Sequence, residues 1–181
     1  MSDAAGPGPS AETETETETE TETDAEIVLA EVDPDDPRAA WCLGQYLAEI
    51  DARFDVGYDP AAAVPTTPAD MRPPKGLFVL ATQDGEPVGC GALKLHGDGT
   101  AEVKRVWTSA VVRGRGLGRR LLRDLESRAV ASGRAVLRLD TNAALVEAMA
   151  LYRSEGWVEV PRFNDERYAD HWFEKRVPAR P

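Results

Sequence analysis

The stretch from Glu102 to Arg120, E-V-K-R-V-W-T-S-A-V-V-R-G-R-G-L-G-R-R, constrains this chain more than any other. Its first half is rich in β-formers: Val103, Val106, Trp107 and Thr108. Its second half opens a helix, because Leu117, Leu121, Leu122 and Leu125 recur at helical spacing. Between the two lies Arg113-Gly114-Arg115-Gly116-Leu117-Gly118, with glycines on alternate positions. Lacking Cβ atoms, these residues let backbone N–H groups approach a ligand closely. The free N–H groups and the dipole of a helix start favour an anion. Arginines at positions 113, 115, 119 and 120 flank the turn. A strand, a glycine-arginine turn and a helix in that order predict a phosphate site, most simply one for a pyrophosphate.

Two common phosphate motifs are excluded by the residues themselves. The dinucleotide fingerprint needs a glycine three positions after Gly116, where Arg119 stands, and the P-loop needs Gly-Lys-Ser/Thr, which does not occur. The plain alternative is a tight turn with solvated arginines. It leaves unexplained why positions 104 to 138 hold ten Lys or Arg and only two acids.

Composition bounds the rest. A chain of 181 residues is one ordinary domain, or one domain with a tail. Its hydrophobic fraction of 42% supports a core. The net charge of −11 arises mostly in residues 1–25, which carry eight acids and no Lys or Arg, so acidity says little about the domain's ligand. That Glu/Thr repeat has no apolar face and repels itself, and is expected to be disordered. The domain is expected over residues 26–177, with a short tail at 178–181. No apolar run reaches the length of a membrane span, and the start lacks a basic region followed by an apolar one. A cytoplasmic protein that binds neither membrane nor nucleic acid is therefore expected. The arginines lie on one turn and helix without an aromatic single-strand platform. Cys42 and Cys90 are too few for a disulfide scaffold and are read as small buried hydrophobes. His96 and His171 lack ligand spacing, so no metal is expected.

Along the chain, a strand is predicted at Ile27–Val32. Asp36-Pro37 starts a helix with Leu43, Tyr46, Leu47, Ile50 and Phe54 on one face. Residues 56–75 hold five prolines and read as a long loop over a substrate mouth. Strands follow at Leu77–Thr82, Val88–Leu95 and Thr100–Ser109, then a helix from Gly116 to Ala131. A strand at Ala135–Asp140, a helix at Ala144–Ser154 and strands at Trp157–Val160 and His171–Val177 complete the fold. Meandering strands followed by β-α-β-α-β give an α+β class, with a mixed sheet split where the glycine loop begins.

The loop R-x-x-G-x-G after a strand resembles the coenzyme A pyrophosphate loop of the GNAT N-acetyltransferase superfamily. A second segment, Ala148-Met149-Ala150-Leu151-Tyr152-Arg153-Ser154-Glu155-Gly156-Trp157, is similar to the family's A-x-x-L-Y-x-x-x-G-aromatic run. The resemblance spans about residues 26–177 and implies a centrally splayed sheet flanked by helices. It implies acetyl-CoA as co-substrate, with Val106, Trp107 and Thr108 along the pantetheine arm and acetyl group. Arg113, Gly114, Arg115, Gly116, Leu117, Gly118 and Arg119 are implied at the pyrophosphate. Tyr152 falls on the family's acid position, where its hydroxyl would protonate the departing thiolate. The other reading of Tyr152 is a tyrosine packed on the sheet.

An amine nucleophile must be neutral to attack, so a carboxylate near the strand must take its proton. Glu102 is the first candidate, and a strand carboxylate facing Lys104 or Arg105 is its bland alternative. His171 is the second candidate. The family's Asn seven residues before the Tyr is replaced by Leu145; Asn142 lies nearby and also fits a helix cap. Trp107, Phe163, Tyr168 and Trp172 are read as a wall for the acceptor or as ordinary core, and Asp165, Glu166 and Asp170 as acids that attract a cation. The function expected is direct transfer of an acetyl group from acetyl-CoA to a small-molecule or peptide primary amine, by a monomer or homodimer. The alternative is a non-catalytic acyl-CoA-binding or sensing module on the same scaffold.

Overall fold

The computed structural model describes residues 25–178. The expected acidic tail of residues 1–25 and the C-terminal tail of 178–181 lie, but for Ala25 and Pro178, outside the described residues. The chain forms β1 (Ile27–Val32), α1 (Pro37–Arg53), β2 (Gly76–Gln83), β3 (Glu86–Leu95) and β4 (Thr100–Thr108). It continues with α2 (Leu117–Ala131), β5 (Val136–Thr141), α3 (Val146–Ser154), β6 (Val158–Val160) and β7 (His171–Arg176). Short 3₁₀ turns at Pro68–Met71 and Ala110–Val112 fall within the connections.

The α+β class is as expected, and local chemistry explains the elements. Asp36 caps α1 by accepting from the Arg38 N–H at 2.8 Å, with Pro37 in the first turn. The hairpin between β2 and β3 turns at Asp84-Gly85, both at positive φ, which matches the twist of the flanking strands. α3 begins at Val146 rather than Ala144. The Asn142 side chain explains the late start: its Oδ1 accepts from the Ala144 N–H at 2.9 Å and holds that residue in a turn.

All seven strands join one sheet in the order β1-β2-β3-β4-β5-β7-β6. The pairs are antiparallel except β4 with β5, which run parallel and pair only at Thr100–Val136, Ala101–Leu137 and Glu102–Arg138. Beyond Glu102 the two strands part, so the split opens well before the glycine loop. A bulge helps to part them. Cys90 faces Trp107 and Ala92 faces Lys104, which leaves Gly91 opposite both Arg105 and Val106. Arg105 takes up the extra residue at φ +59°, a left-handed conformation that costs a non-glycine residue roughly 1–2 kcal/mol.

Each sheet face carries a core. On one, Leu117, Leu121, Leu122 and Leu125 of α2 pack with Met149 and Tyr152 of α3 against Val79, Val103, Leu137, Leu139 and Phe173. On the other, Ala39 and Cys42 of α1 cover Phe78, Leu80, Cys90, Ala92 and Trp107. Tyr46 sits at the edge of the second core and Tyr152 in the first, and both reach the split between β4 and β5.

Candidate active site

The glycine loop reaches its helix through two left-handed residues, Gly114 at φ +80° and Gly116 at φ +79°, the latter being the residue before α2. A Cβ at either would meet no atom within 4 Å, so the glycines serve backbone conformation rather than packing. The backbone N–H groups of Gly114, Gly116, Leu117, Gly118 and Arg119 make no hydrogen bond to a described residue. Five unpaired donors at the start of a 15-residue helix form a cradle for an anion.

The arginines that flank the turn are engaged within the protein. The Arg113 guanidinium pairs with Glu49 and donates from Nε to the Thr108 carbonyl at 3.1 Å. Arg119 and Arg123 both grip Glu155, at 2.6 and 2.7 Å, and hold its carboxyl below its ordinary value. Arg120 donates to the Ile27 carbonyl at 2.8 Å, and Arg115 reaches Gln83 at 3.4 Å. These side chains brace the loop against α1, α3, β1 and β2. Among the described residues, the donors left without a partner at the turn are the main-chain N–H groups.

The loop forms one end of a cavity of about 490 Å³ between α1, α2, α3 and the free half of β4. Nine of the ten residues expected at the coenzyme line it: Val106, Trp107, Thr108, Arg113, Gly114, Gly116, Leu117, Gly118 and Arg119. Arg115 does not. The opposite wall, which sequence reasoning missed, comes from Glu49 and Arg53 of α1 together with Leu145, Ala148 and Leu151. Arg53 donates to the Ala144 carbonyl at 2.8 Å and to Glu147 at 2.6 Å, clamping α1 to the start of α3. Glu49 accepts from the Trp107 indole N–H at 2.9 Å. Helical periodicity marked the apolar face of α1, but carried no sign that its polar edge would line a cavity.

A second chamber of about 100 Å³ adjoins the first through the split in the sheet. Tyr46, Ile50, Val106, Leu145, Ala148 and Tyr152 line both. The Tyr152 hydroxyl has no hydrogen-bond partner among the described residues, and burial keeps its proton on well above the ordinary tyrosine range. It is thus a neutral donor at the junction of the two spaces. The second chamber is walled by Phe54, Tyr58 and Tyr168, whose rings are mutually packed at centroid distances of 4.9 to 6.2 Å. The proline-rich segment covers it: Val64 donates its N–H to Glu166 at 2.9 Å, and Asp59 donates to the Tyr168 hydroxyl at 2.9 Å.

Other expected residues lie elsewhere. Glu102 lines neither chamber. It is buried and committed to Lys104 at 2.6 Å, His96 at 3.0 Å and Asn164 at 3.2 Å. His171 faces Glu159 at 2.6 Å and lines neither chamber. Phe163 lies under Arg138, and Trp172 lies under Arg162 while donating to Asn164, so neither joins the aromatic wall. Trp107 and Tyr168 line different chambers. Of the acids expected near the acceptor, Glu166 lines the second chamber, whereas Asp170 accepts from the Ala143 N–H and Asp165 pairs with Arg162. Asp140, unmarked by any motif, lines the chamber too. Burial raises its affinity for a proton, but the Lys104 ammonium at 2.8 Å and the Asn164 amide outweigh that and keep it ionised. Asn142 donates to the Tyr168 carbonyl at 2.7 Å and so pins the chamber's far wall.

Among the described residues, no group of three or more His, Cys, Asp or Glu is placed to hold a metal ion, and no helix is long and apolar enough to cross a membrane.

A splayed mixed sheet with an anion cradle where β4 runs into α2 defines a class of acyl-transfer folds. Residues 44–157, more than half of the chain, match the model of the acetyltransferase (GNAT) family, and the chain belongs to that family. It is 39% identical over 83 residues to an IAA acetyltransferase of Azospirillum brasilense. That match covers 45% of this chain and 54% of the relative, so the aligned part spans about half the relative's length. In fold it is similar to a GNAT-family acetyltransferase of Staphylococcus aureus, with a TM-score of 0.72 at 16% identity, over 84% of this chain and 100% of that one. It is also similar to the PaiA N-acetyltransferase of Thermoplasma acidophilum solved with coenzyme A, with a TM-score of 0.51 at 21% identity, over 57% and 62% of the two chains.

Proposed function

We propose that this protein transfers an acetyl group from acetyl-CoA to a primary amine by direct attack. The observation that carries this reading is the pair of chambers meeting at Tyr152: one ends in an anion cradle, the other in an aromatic, charge-bearing pocket. The larger space suits a coenzyme. Its five main-chain donors match a pyrophosphate, and the free edge of β4 at Val106–Thr108 offers backbone groups to an amide-bearing arm.

The co-substrate supplies an activated thioester, so the protein has to align the amine and manage two protons. On the leaving side, Tyr152 is a neutral donor whose raised pKa keeps it protonated until a thiolate develops beside it. On the acceptor side, the proton leaves through the second chamber. Glu166 is the base we assign there. Among the described residues its two oxygens accept only the N–H groups of Val64 and Tyr168, whereas Asp140 is committed to Lys104. Glu102 is too far committed to Lys104 and His96 to serve.

Coupled measurement of thiol release over a panel of primary amines tests the reading. Acetyl-dependent thiol release with appearance of the N-acetyl product supports it. Binding of acetyl-CoA with no turnover over the whole panel would instead support a sensing module.

A further inference from the structure

Arg105 is a cation that meets no counter-charge among the described residues. It sits in the bulge of β4, lines the second chamber, and lies over the Tyr46 ring at 5.4 Å with its Nη1 donating to the Tyr58 hydroxyl at 3.5 Å. No carboxylate among the described residues pairs with it. Arg38, Arg53, Arg72, Arg113, Arg123 and Arg138 each meet an acid, and Arg120 and Arg134 donate to backbone carbonyls, but neither of those two lines a chamber. Lys104, its neighbour in the chamber, is neutralised twice, by Glu102 and Asp140. A partly buried guanidinium surrounded by aromatic rings and left unpaired is costly unless something anionic arrives to meet it.

The backbone strengthens the point. The left-handed conformation at position 105 is strained for arginine and aims its side chain away from the regular alternation of the strand. The bulge thereby delivers a planar, five-donor group suited to a carboxylate. Its single positive charge matches a single negative charge better than a phosphate dianion.

We propose that Arg105 binds the carboxylate of the acceptor, and that the acceptor is a small amino acid-like primary amine. This rests on the transferase reading above. The chamber then has two poles. Arg105 receives the carboxylate, and Glu166 faces the amine. The small volume and the Phe54, Tyr58 and Tyr168 rings restrict what lies between them.

The experiment compares matched pairs, each small amino acid against the amine that lacks only its carboxylate, such as alanine with ethylamine and serine with ethanolamine. On the wild-type protein, kcat/KM is expected to be at least tenfold higher for the carboxylate-bearing member. Arg105→Gln is expected to erase that preference, and Arg105→Lys to keep part of it. Equal or better turnover of the amines lacking a carboxylate overturns the proposal without any variant being made. An unchanged preference in a folded Arg105→Gln protein overturns it as well. Calorimetric titration of the same amino acids in the presence of coenzyme A separates the two layers. If no amine turns over but the amino acids bind wild type and not Arg105→Gln, the carboxylate site stands and the transferase reading falls. If the amino acids neither bind nor react, the carboxylate site falls.

Discussion

Glu102 and Lys104, two residues apart on one face of β4, are joined by an ion pair of 2.6 Å that turns Glu102 away from both chambers. Each side chain is about a tenth exposed, so the pair is shielded from water. Glu102→Gln is expected to lower stability by about 1–3 kcal/mol, because Lys104 loses one of its two counter-charges. The pH dependence of turnover is expected to stay in place, with kcat within about threefold of wild type. Thermal melting and a pH–rate profile check this. Loss of the acidic limb of that profile in the variant would return Glu102 to the role of base.

Tyr152→Phe should separate chemistry from binding. The hydroxyl makes no hydrogen bond among the described residues, and the ring keeps its contacts with Trp157 and Phe173 at 6.1 and 5.8 Å. Turnover is expected to fall about 100-fold or more, the usual scale for removing a general acid. The dissociation constant for acetyl-CoA is expected to change little. Steady-state kinetics with a parallel binding titration decide the matter, since equal losses in both would mark a positioning role only.

Glu166→Gln tests the other proton. The amide has one acceptor oxygen in place of two, so it keeps the hydrogen bond from either Val64 or Tyr168 and loses the other, and a melting curve must show that the covering segment still folds. The expected result is a loss of kcat/KM near neutral pH that shrinks as pH rises and free amine accumulates. A variant with wild-type activity across the profile would remove Glu166 from the reaction.

Stability should fall at both ends of the pH scale, for opposite reasons. Asp140 is held below its ordinary value by Lys104 despite its burial. Its contribution is complete above the unfolded value of about 4 and is lost as pH falls toward the folded one, because the unfolded chain binds the proton first. Tyr46 and Tyr152 are raised by burial, so they ionise in the unfolded chain before the folded one. Their contribution is complete below about pH 10 and is lost as pH climbs above it. Denaturation by urea at stepped pH checks both limbs. Asp140→Asn should flatten the acid one.

The sequence carried the sheet, the helices and the cradle because each is a local pattern. Strand alternation, leucine spacing and a glycine turn are all read within about 20 residues. What it did not carry depends on partners far along the chain. The bulge at Arg105 needs Gly91 across the ladder, and nothing near Arg105 announces a left-handed residue. The roles of Glu49 and Arg53 follow from α1 facing α3, a contact between residues more than 90 positions apart. Glu102 looked available because its neighbours in space, His96 and Asn164, are set by loops that periodicity does not describe. The arginines that flank the glycine turn are legible in the sequence, but their partners Glu49 and Glu155, on distant elements, are not.

The account stands on main-chain N–H groups at Gly114–Arg119 gripping a pyrophosphate. Titration of acetyl-CoA into the wild-type protein and into Gly116→Glu tests it most directly. The new side chain strains the left-handed backbone by roughly 1–2 kcal/mol and sets a negative charge beside the cradle, where a Cβ meets no protein atom. The expected result is saturable binding to wild type and affinity at least about 100-fold weaker in a variant that still melts cooperatively. Equal affinity in the two proteins, or no binding to wild type, would contradict the account.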